Sequence, residues 1–583
     1  MATEPTGAAV SSYDDSSKRS EGVIGQISLH ASLLISPWLC RQDRLKAPQS
    51  SGWRVPITRS TRRTICSLGP APEPHERSRI QPGAPPVSFG AKPNSHRRVC
   101  AKLLLVVFGV LVTGLATGTS VASSPQGETS TTIDLPGGQK LEGFRGSFSV
   151  REDRQRKMSR RITLNYVRLP ATTATNGPPI VYLAGGPGAS GIDAIRYRSS
   201  AFNAMRRFGD VIALDQRGTG ASNDLPTCVS HEILSAASSD EQFLGTQRAA
   251  LTECLAFWKG KGIDLAAYNT RQNALDLEDL RHHLGVDKIV LWGTSYGAHL
   301  ALAAMRELPN RIDKVVLSSV RGLDQNWKLP ATLESYLDRL QQAVDAQPGG
   351  RESYGDIRAL IRRVHAALEA SPVPVTLKDG KGAPVIYPLH RRDMQLLAAA
   401  LIADPSGAAR MLNIYRSLDL HQGPAIDRIP ARLLPDHLVT LGQPLSVDCM
   451  PILTNIASGI SRGRRKVALA QTPTSLFGPY LDQTRQYDGL ATELDAGDAF
   501  RRTPVSSIPT LVFSGSLDGR TVLEEQHDAT IGLRQVTRIT VDNAGHNLFD
   551  SPTPELLAVL DEFMTRRPVA VVSITVPAPR FAP

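Results

Sequence analysis

Gly293-Thr-Ser-Tyr-Gly297 constrains this chain more than any other stretch, because it sets a serine between two glycines at the junction of two different hydrophobic patterns. Ahead of it, Lys288-Ile-Val-Leu-Trp292 is a short apolar run rich in β-branched residues, the pattern of a strand buried on both faces. Behind it, Leu300, Ala301, Ala304 and Leu308 recur near helical spacing, and Pro309 closes the helix. A strand that turns directly into a helix leaves no room for side chains two positions either side of the turning residue. Gly293 and Gly297 therefore fit a sharp elbow with Ser295 at its tip. Five residues with three fixed recur by chance in long chains, so the flanks carry the weight. Lys314-Val-Val-Leu317 then starts a second strand, which places the chain among alternating α/β folds.

Two further pieces lie where such a serine needs them. Upstream, Pro179-Ile-Val-Tyr-Leu-Ala-Gly-Gly-Pro-Gly188 is an apolar strand running into a glycine-rich turn. An oxyanion requires two backbone N–H groups aimed at one point, and Gly186 and Tyr296 are the candidates. Downstream, Thr510-Leu-Val-Phe513 leads into Ser514-Gly-Ser-Leu-Asp-Gly-Arg-Thr521, and Arg538 to Val541 leads into Asp542-Asn-Ala-Gly-His-Asn547. Asp518 and His546 each follow a strand, giving the order Ser295, Asp518, His546. His546 would take the serine proton, and Asp518 would hold its tautomer and stabilise the imidazolium. Among the competitors, His282 and His283 fall on a helix expected over 273–284, and His299 lies one turn past the serine. All three read as structural or surface residues, and Asp542 and Asp215 as strand ends. Asp215 and Arg217 are expected to pair and brace the loop carrying Gly186.

Taken in order, Ala184-Gly-Gly-Pro-Gly-Ala-Ser-Gly191, Leu214-Asp-Gln-Arg-Gly-Thr-Gly-Ala-Ser222, Gly293-Thr-Ser-Tyr-Gly297, Gly515-Ser-Leu-Asp-Gly-Arg-Thr521 and Gly545-His546 resemble the proline iminopeptidase and tripeptidyl aminopeptidase group of α/β-hydrolases. With their flanks they span roughly residues 130 to 565. The resemblance implies a mostly parallel sheet flanked by helices, an inserted and mainly helical cap, and a secreted serine exopeptidase with its triad at Ser295, Asp518 and His546. One departure bears on substrate. Relatives that act on a free amino terminus commonly carry acids just after a cap-domain cysteine, whereas this chain reads Val447-Asp-Cys-Met-Pro-Ile452. A buried ammonium without a carboxylate is costly, so an aminopeptidase would need Asp448 or another cap acid. An esterase or other small-substrate hydrolase stays open, as does a non-catalytic binding protein on the same scaffold.

The net charge of +11 raises the question of nucleic acid. Residues 1–98 hold 14 Lys or Arg against 7 Asp or Glu, so most of the excess lies outside the hydrolase pattern, and no basic patch with interleaved aromatics occurs. That first stretch is rich in Ser, Arg and Pro without periodicity and reads as disordered or as a mis-assigned extension. Arg97-Arg-Val-Cys-Ala-Lys102, the uncharged run Leu103 to Gly118 and the small residues through Ser120-Val-Ala122 follow the order of a secretory signal. The expected true start lies near Val99, and peptides from residues 1–98 in the native protein would refute it. An uncleaved membrane anchor is the alternative.

The expected organisation is a signal over 99–122, hydrolase core over 123–320 and 504–567, a cap over 321–503, and a tail over 568–583. Within the cap, helices are expected over Ala331–Ala346, Tyr354–Ala370 and Arg391–Ala403, with a hairpin from Val373 to Pro388 around Asp379-Gly380. Past the signal only Cys228, Cys254 and Cys449 remain. A Cys228–Cys254 disulfide would suit an exported protein. No metal-like spacing occurs, and no cofactor is expected. The expected partner is a peptide or a small ester or amide.

Overall fold

The structure, a computed structural model, describes residues 127–581 apart from 176, 224, 380–381, 423–433 and 483. The extension, the signal and the start near Val99 all lie outside the described residues.

Fourteen strands occur among the described residues: β1 (Thr129–Asp134), β2 (Lys140–Arg151), β3 (Arg161–Leu169), β4 (Ile180–Leu183), β5 (Val211–Leu214), β6 (Cys228–Ile233), β7 (Ile289–Thr294), β8 (Ile312–Ser318), β9 (Val373–Lys378), β10 (Pro384–Leu389), β11 (Pro444–Val447), β12 (Thr510–Gly515), β13 (Val536–Asp542) and β14 (Ser573–Thr575). Ten form one sheet in the order β1-β2-β3-β5-β4-β7-β8-β12-β13-β14. The first three pair antiparallel, β3 meets β5 antiparallel, and from β5 to β14 the pairing is parallel.

The alternation of side chains along the strands explains the two layers that cover this sheet. Val181, Leu183, Ile212, Leu214, Leu291, Val315 and Leu317 join one buried cluster with the helices Thr270–His283 and Tyr296–Glu307. Their strand neighbours Ile180, Tyr182, Val211, Ala213, Val290, Trp292, Val316, Leu511 and Phe513 join the opposite cluster with Ser199–Met205 and Pro554–Met564. Because both faces are covered, the central strands read as unbroken apolar runs. Trp292 sits at the centre of the second layer, against Tyr182, Phe202 and Phe549 at ring separations of 4.7, 5.0 and 5.4 Å.

The segment between β8 and β12 departs from the alternation and forms its own core around Tyr336, Leu340, Ile361, Leu397, Leu412 and Phe477. Its helices include Pro330–Asp345, Ile357–Ala370, Arg391–Leu401 and Pro405–Asp419, and β9 and β10 form an antiparallel hairpin. The second of these begins later than its apolar spacing predicts. Gly355 turns the chain at φ 60°, and the Asp356 side chain accepts from the Ala359 N–H at 2.8 Å, an N-cap. The last residues add β14 at the sheet edge and bury Phe581 in the core of the β8–β12 segment, where its carbonyl accepts from Tyr354 Oη at 2.7 Å.

Strand β11 ties that segment to the rest. β11 pairs antiparallel with β6, which follows β5. β6 is in turn fixed to the helix Asp240–Gly260 by a Cys228–Cys254 disulfide, Cα atoms 5.7 Å apart. Cys449 is buried in the same cluster, with Val447, Met450 and Leu453. The disulfide closes a loop with a sequence separation of 26, for which chain entropy gives about 3 kcal/mol. A Cys228→Ser, Cys254→Ser double variant is expected to lose about that much in urea unfolding; an unchanged midpoint would show that the bridge adds nothing to stability. Among the described residues no helix is long and apolar enough to cross a membrane.

Candidate active site

Ser295 stands between β7 and the helix Tyr296–Glu307 with φ 59° and ψ −117°, a conformation that L residues rarely adopt. The flanking glycines show why the turn needs them. A Cβ on Gly297 would lie 1.9 Å from the Leu183 carbonyl oxygen, and one on Gly293 would lie 2.5 Å from the Gly297 carbonyl oxygen. The strained residue is held by its neighbours in the sheet, since its N–H donates to the Ser318 carbonyl at 3.0 Å.

From β4 the chain passes to β5 on one side and then returns to β7 on the other, so a crevice opens outside the carboxyl ends of β4 and β7. The glycine-rich turn after β4 occupies it. A Cβ on Gly185 would meet Ser295 Cβ at 3.3 Å, so the turn lies directly against the serine. Gly186 follows at φ 115°, and a Cβ on Gly188 would come within 2.6 Å of Pro451 Cγ on the helix Cys449–Ser458. That helix thus rests on the turn. Asp448 stands just before its start without a capping hydrogen bond from its side chain, and although it reaches the surface, the desolvation imposed by its surroundings pushes its carboxyl up.

Asp518 and His546 meet at the ends of β12 and β13. His546 Nδ1 lies 2.9 Å from Asp518 Oδ2, and Asp518 is fully buried. Its other oxygen accepts the N–H groups of Arg520 and Thr521, both at 2.8 Å, and Thr521 Oγ1 donates to Oδ2 at 2.7 Å. Burial by itself pushes this carboxyl up, but the facing His546 and the bonds from His546 and Thr521 outweigh it and hold the group below the usual carboxylate range. His546 is positioned through its backbone. Its N–H donates to the Ala403 carbonyl at 2.8 Å, and its carbonyl accepts from Ser319 Oγ at 2.6 Å. Ser318 takes the Ser295 N–H, so adjacent residues after β8 hold the serine on one side and the histidine on the other. Asp404 clamps Asn547 through its N–H at 3.2 Å and Nδ2 at 2.6 Å.

The competing residues have other duties. His299 is buried, with Nδ1 against the Gly322 carbonyl at 3.0 Å and Nε2 near Ser458 Oγ at 3.3 Å, and burial holds it well below its ordinary value. His283 stacks on Phe148 at 5.6 Å, and His282 pairs with Glu278 at 3.0 Å. The expected Asp215–Arg217 pair does not form. Asp215 instead accepts from Ser190 Oγ at 2.6 Å and from the N–H groups of Ile192 and Ala221, while Arg217 makes a bidentate pair with Asp276, both bonds 2.7 Å. Arg217 is drawn instead to Asp276 and to the carbonyls of Glu152 and Ala267, while Gly218 and Gly220, which follow both residues, turn the chain at positive φ. The bracing of the turn that carries Gly186 falls to Asp215, through Ser190 and Ile192, and to Gln216, whose Nε2 donates to the Ala184 carbonyl at 3.0 Å.

Several residues around the site give no signal as isolated letters. Thr521, Ser319 and Asp404 act through hydrogen bonds that depend on where the loops meet. Arg321, two residues past Ser319, places its guanidinium 5.2 Å from the centre of the Tyr296 ring and donates from Nη1 to Asn455 Oδ1 at 3.0 Å. Burial pushes it down to about 10, against the opposing influence of Tyr296 and Asp482, which leaves it charged at neutral pH.

A family model described as the alpha/beta hydrolase fold matches residues 178–369, from the start of β4 through the elbow and into the inserted segment. The chain has the alpha/beta hydrolase fold. Among curated proteins, this chain is 28% identical over 206 residues to the serine protease Hip1 of Mycobacterium tuberculosis, covering 34% of this chain and 37% of the relative. It is 29% identical over 161 residues to a probable proline iminopeptidase of Streptomyces coelicolor, covering 27% and 37%. Against the tripeptidyl aminopeptidase of Streptomyces lividans the figures are 25% over 169 residues, 27% and 32%. The matched part thus spans about a third of the length of these relatives.

Proposed function

We propose that this alpha/beta hydrolase is an exported serine hydrolase that works through an acyl-enzyme, with Ser295 as nucleophile, His546 as general base and Asp518 as its orienting acid. The observation that carries the reading is the His546–Asp518 contact of 2.9 Å at the ends of strands that share the sheet edge with the strained Ser295. With Nδ1 donating to Asp518, Nε2 is the base nitrogen. It takes the Ser295 proton as Oγ attacks the carbonyl, and returns it to the leaving group. The N–H groups of Gly186 and Tyr296 serve the oxyanion. Export rests on the signal pattern before residue 123 and on a disulfide of the kind that persists in oxidising compartments.

Within that class the substrate is a peptide cleaved from its amino terminus. The names of the matched relatives support this, and Asp448, three residues before the Pro451 that packs on Gly188, is the cap acid we assign to an ammonium group. The alternative is an ester or other small acyl substrate, supported by the lack of acids directly after Cys449. Hydrolysis of matched peptide amides with free and N-acetylated amino termini, and of a simple ester, by protein beginning at Ser123 decides between them. A strong preference for the free amine is expected. Ester turnover with neither peptide cleaved would refute the peptidase reading while leaving the serine hydrolase intact.

A further inference from the structure

Several enclosed arginines near the site have carboxylate partners. Arg198 meets Asp550 at 2.7 Å, Arg217 meets Asp276 at 2.7 Å, and Arg464 pairs with Glu525. Arg321 forms no ion pair among the described residues. Its Nη1 bonds the neutral Asn455, while Nε and Nη2 are enclosed without a hydrogen-bond acceptor among those residues. Asp482, the acid whose charge reaches it, is already held by the N–H and Nζ of Lys328 at 2.7 and 3.2 Å. Nε and Nη2 form one edge of the guanidinium, the edge that matches the two oxygens of a carboxylate. Leaving that edge unpaired is costly, and most buried donors of this kind are satisfied.

The placement makes the unpaired edge relevant to substrate. Arg321 follows Ser319 on the loop after β8, its guanidinium lies over the side chain of the residue next to Ser295, and its partner Asn455 is on the helix whose Pro451 covers the Gly188 turn. It therefore bridges the nucleophile elbow and the roof of the site. Arg520, two residues past Asp518 at the same edge of the sheet, also makes no ion pair among the described residues, but the charges of Asp518 and Asp404 act on it.

We propose that Arg321 is a specificity-determining residue that receives a carboxylate of the substrate through Nε and Nη2. The substrate class is then an acyl compound bearing a carboxylate, such as a short peptide with a free carboxyl terminus or an acidic side chain. This rests on the hydrolase reading above for its location, and its test is separable from it.

The probes are two matched pairs of peptides, Ala-Ala-Ala against its carboxamide, and Ala-Glu-Ala-amide against Ala-Gln-Ala-amide. Turnover is measured with the wild type, and calorimetric binding with Ser295→Ala, which needs no catalysis. The expected result is a preference of tenfold or more for the carboxylate member of at least one pair. Arg321→Met should bring that ratio to about one through KM or Kd with kcat for the neutral member kept, and Arg321→Lys should retain part of it because the charge remains without the fork. A purely structural Arg321 would instead depress all four peptides alike. That outcome overturns the proposal, as does a wild type with no preference or no binding, or a preference that survives in Arg321→Met. Should Arg321→Met not fold, the wild-type ratio and Arg321→Lys still decide. Binding with preference but without turnover by the wild type would overturn the hydrolase reading and leave the carboxylate receptor standing.

Discussion

Replacing Ser295 by Ala is expected to lower kcat by about a million-fold while leaving the melting temperature at or above that of the wild type. The two halves of this expectation have separate origins. Without Oγ there is no acyl-enzyme, and the residual rate is that of water attacking a carbonyl held by the oxyanion donors. The fold does not need the hydroxyl, because what pins this residue in place is its N–H on the Ser318 carbonyl and the glycine packing on either side. The positive φ of 59° persists in the alanine variant, so the strain neither grows nor disappears. Progress curves with a peptide or ester substrate, together with thermal melts, check both. A variant retaining a tenth of the activity would remove Ser295 from the chemistry.

The second large effect belongs to Asp518. Asp518→Asn should reduce kcat by about ten-thousand-fold with little change in KM, because the amide would present a donor where His546 Nδ1 now donates. The imidazole would then turn or adopt the other tautomer, and its Nε2 would cease to be a base. The neighbouring bonds sharpen the expectation. Thr521 Oγ1 donates to Oδ2, the same oxygen that faces His546, so an asparagine that keeps its carbonyl toward Thr521 also keeps its NH₂ on the side of the Arg520 and Thr521 amides, donor against donor. Some loss of stability accompanies the loss of rate. Unchanged kcat in a folded Asp518→Asn variant would show that His546 is oriented by its backbone contacts alone.

The elbow, the glycine-rich turn and the order of the motifs were legible because each is enforced by sterics that only a few residue types satisfy. The clash at Gly297 is with backbone, which cannot move aside, and so the glycine is visible as a letter in the sequence. Strand alternation was hidden by burial on both faces, yet burial itself made the runs apolar and so marked them. What could not be read was whatever depends on two distant loops meeting. Arg217 looks like the natural partner of Asp215, two residues away, but the bidentate geometry offered by Asp276 on a helix 59 residues later prevails. β14 was hidden because Ser573-Ile-Thr575 is too short to carry a period, and it needs the edge of β13 to become a strand at all.

The pairing of β11 with β6 has a mechanical meaning. A lid that swings must break contacts along one side, and here that side is a hydrogen-bonded ladder whose far strand is covalently riveted through Cys228 and Cys254. Swinging the β8–β12 segment away on this side would therefore require breaking that ladder, not only bending a linker.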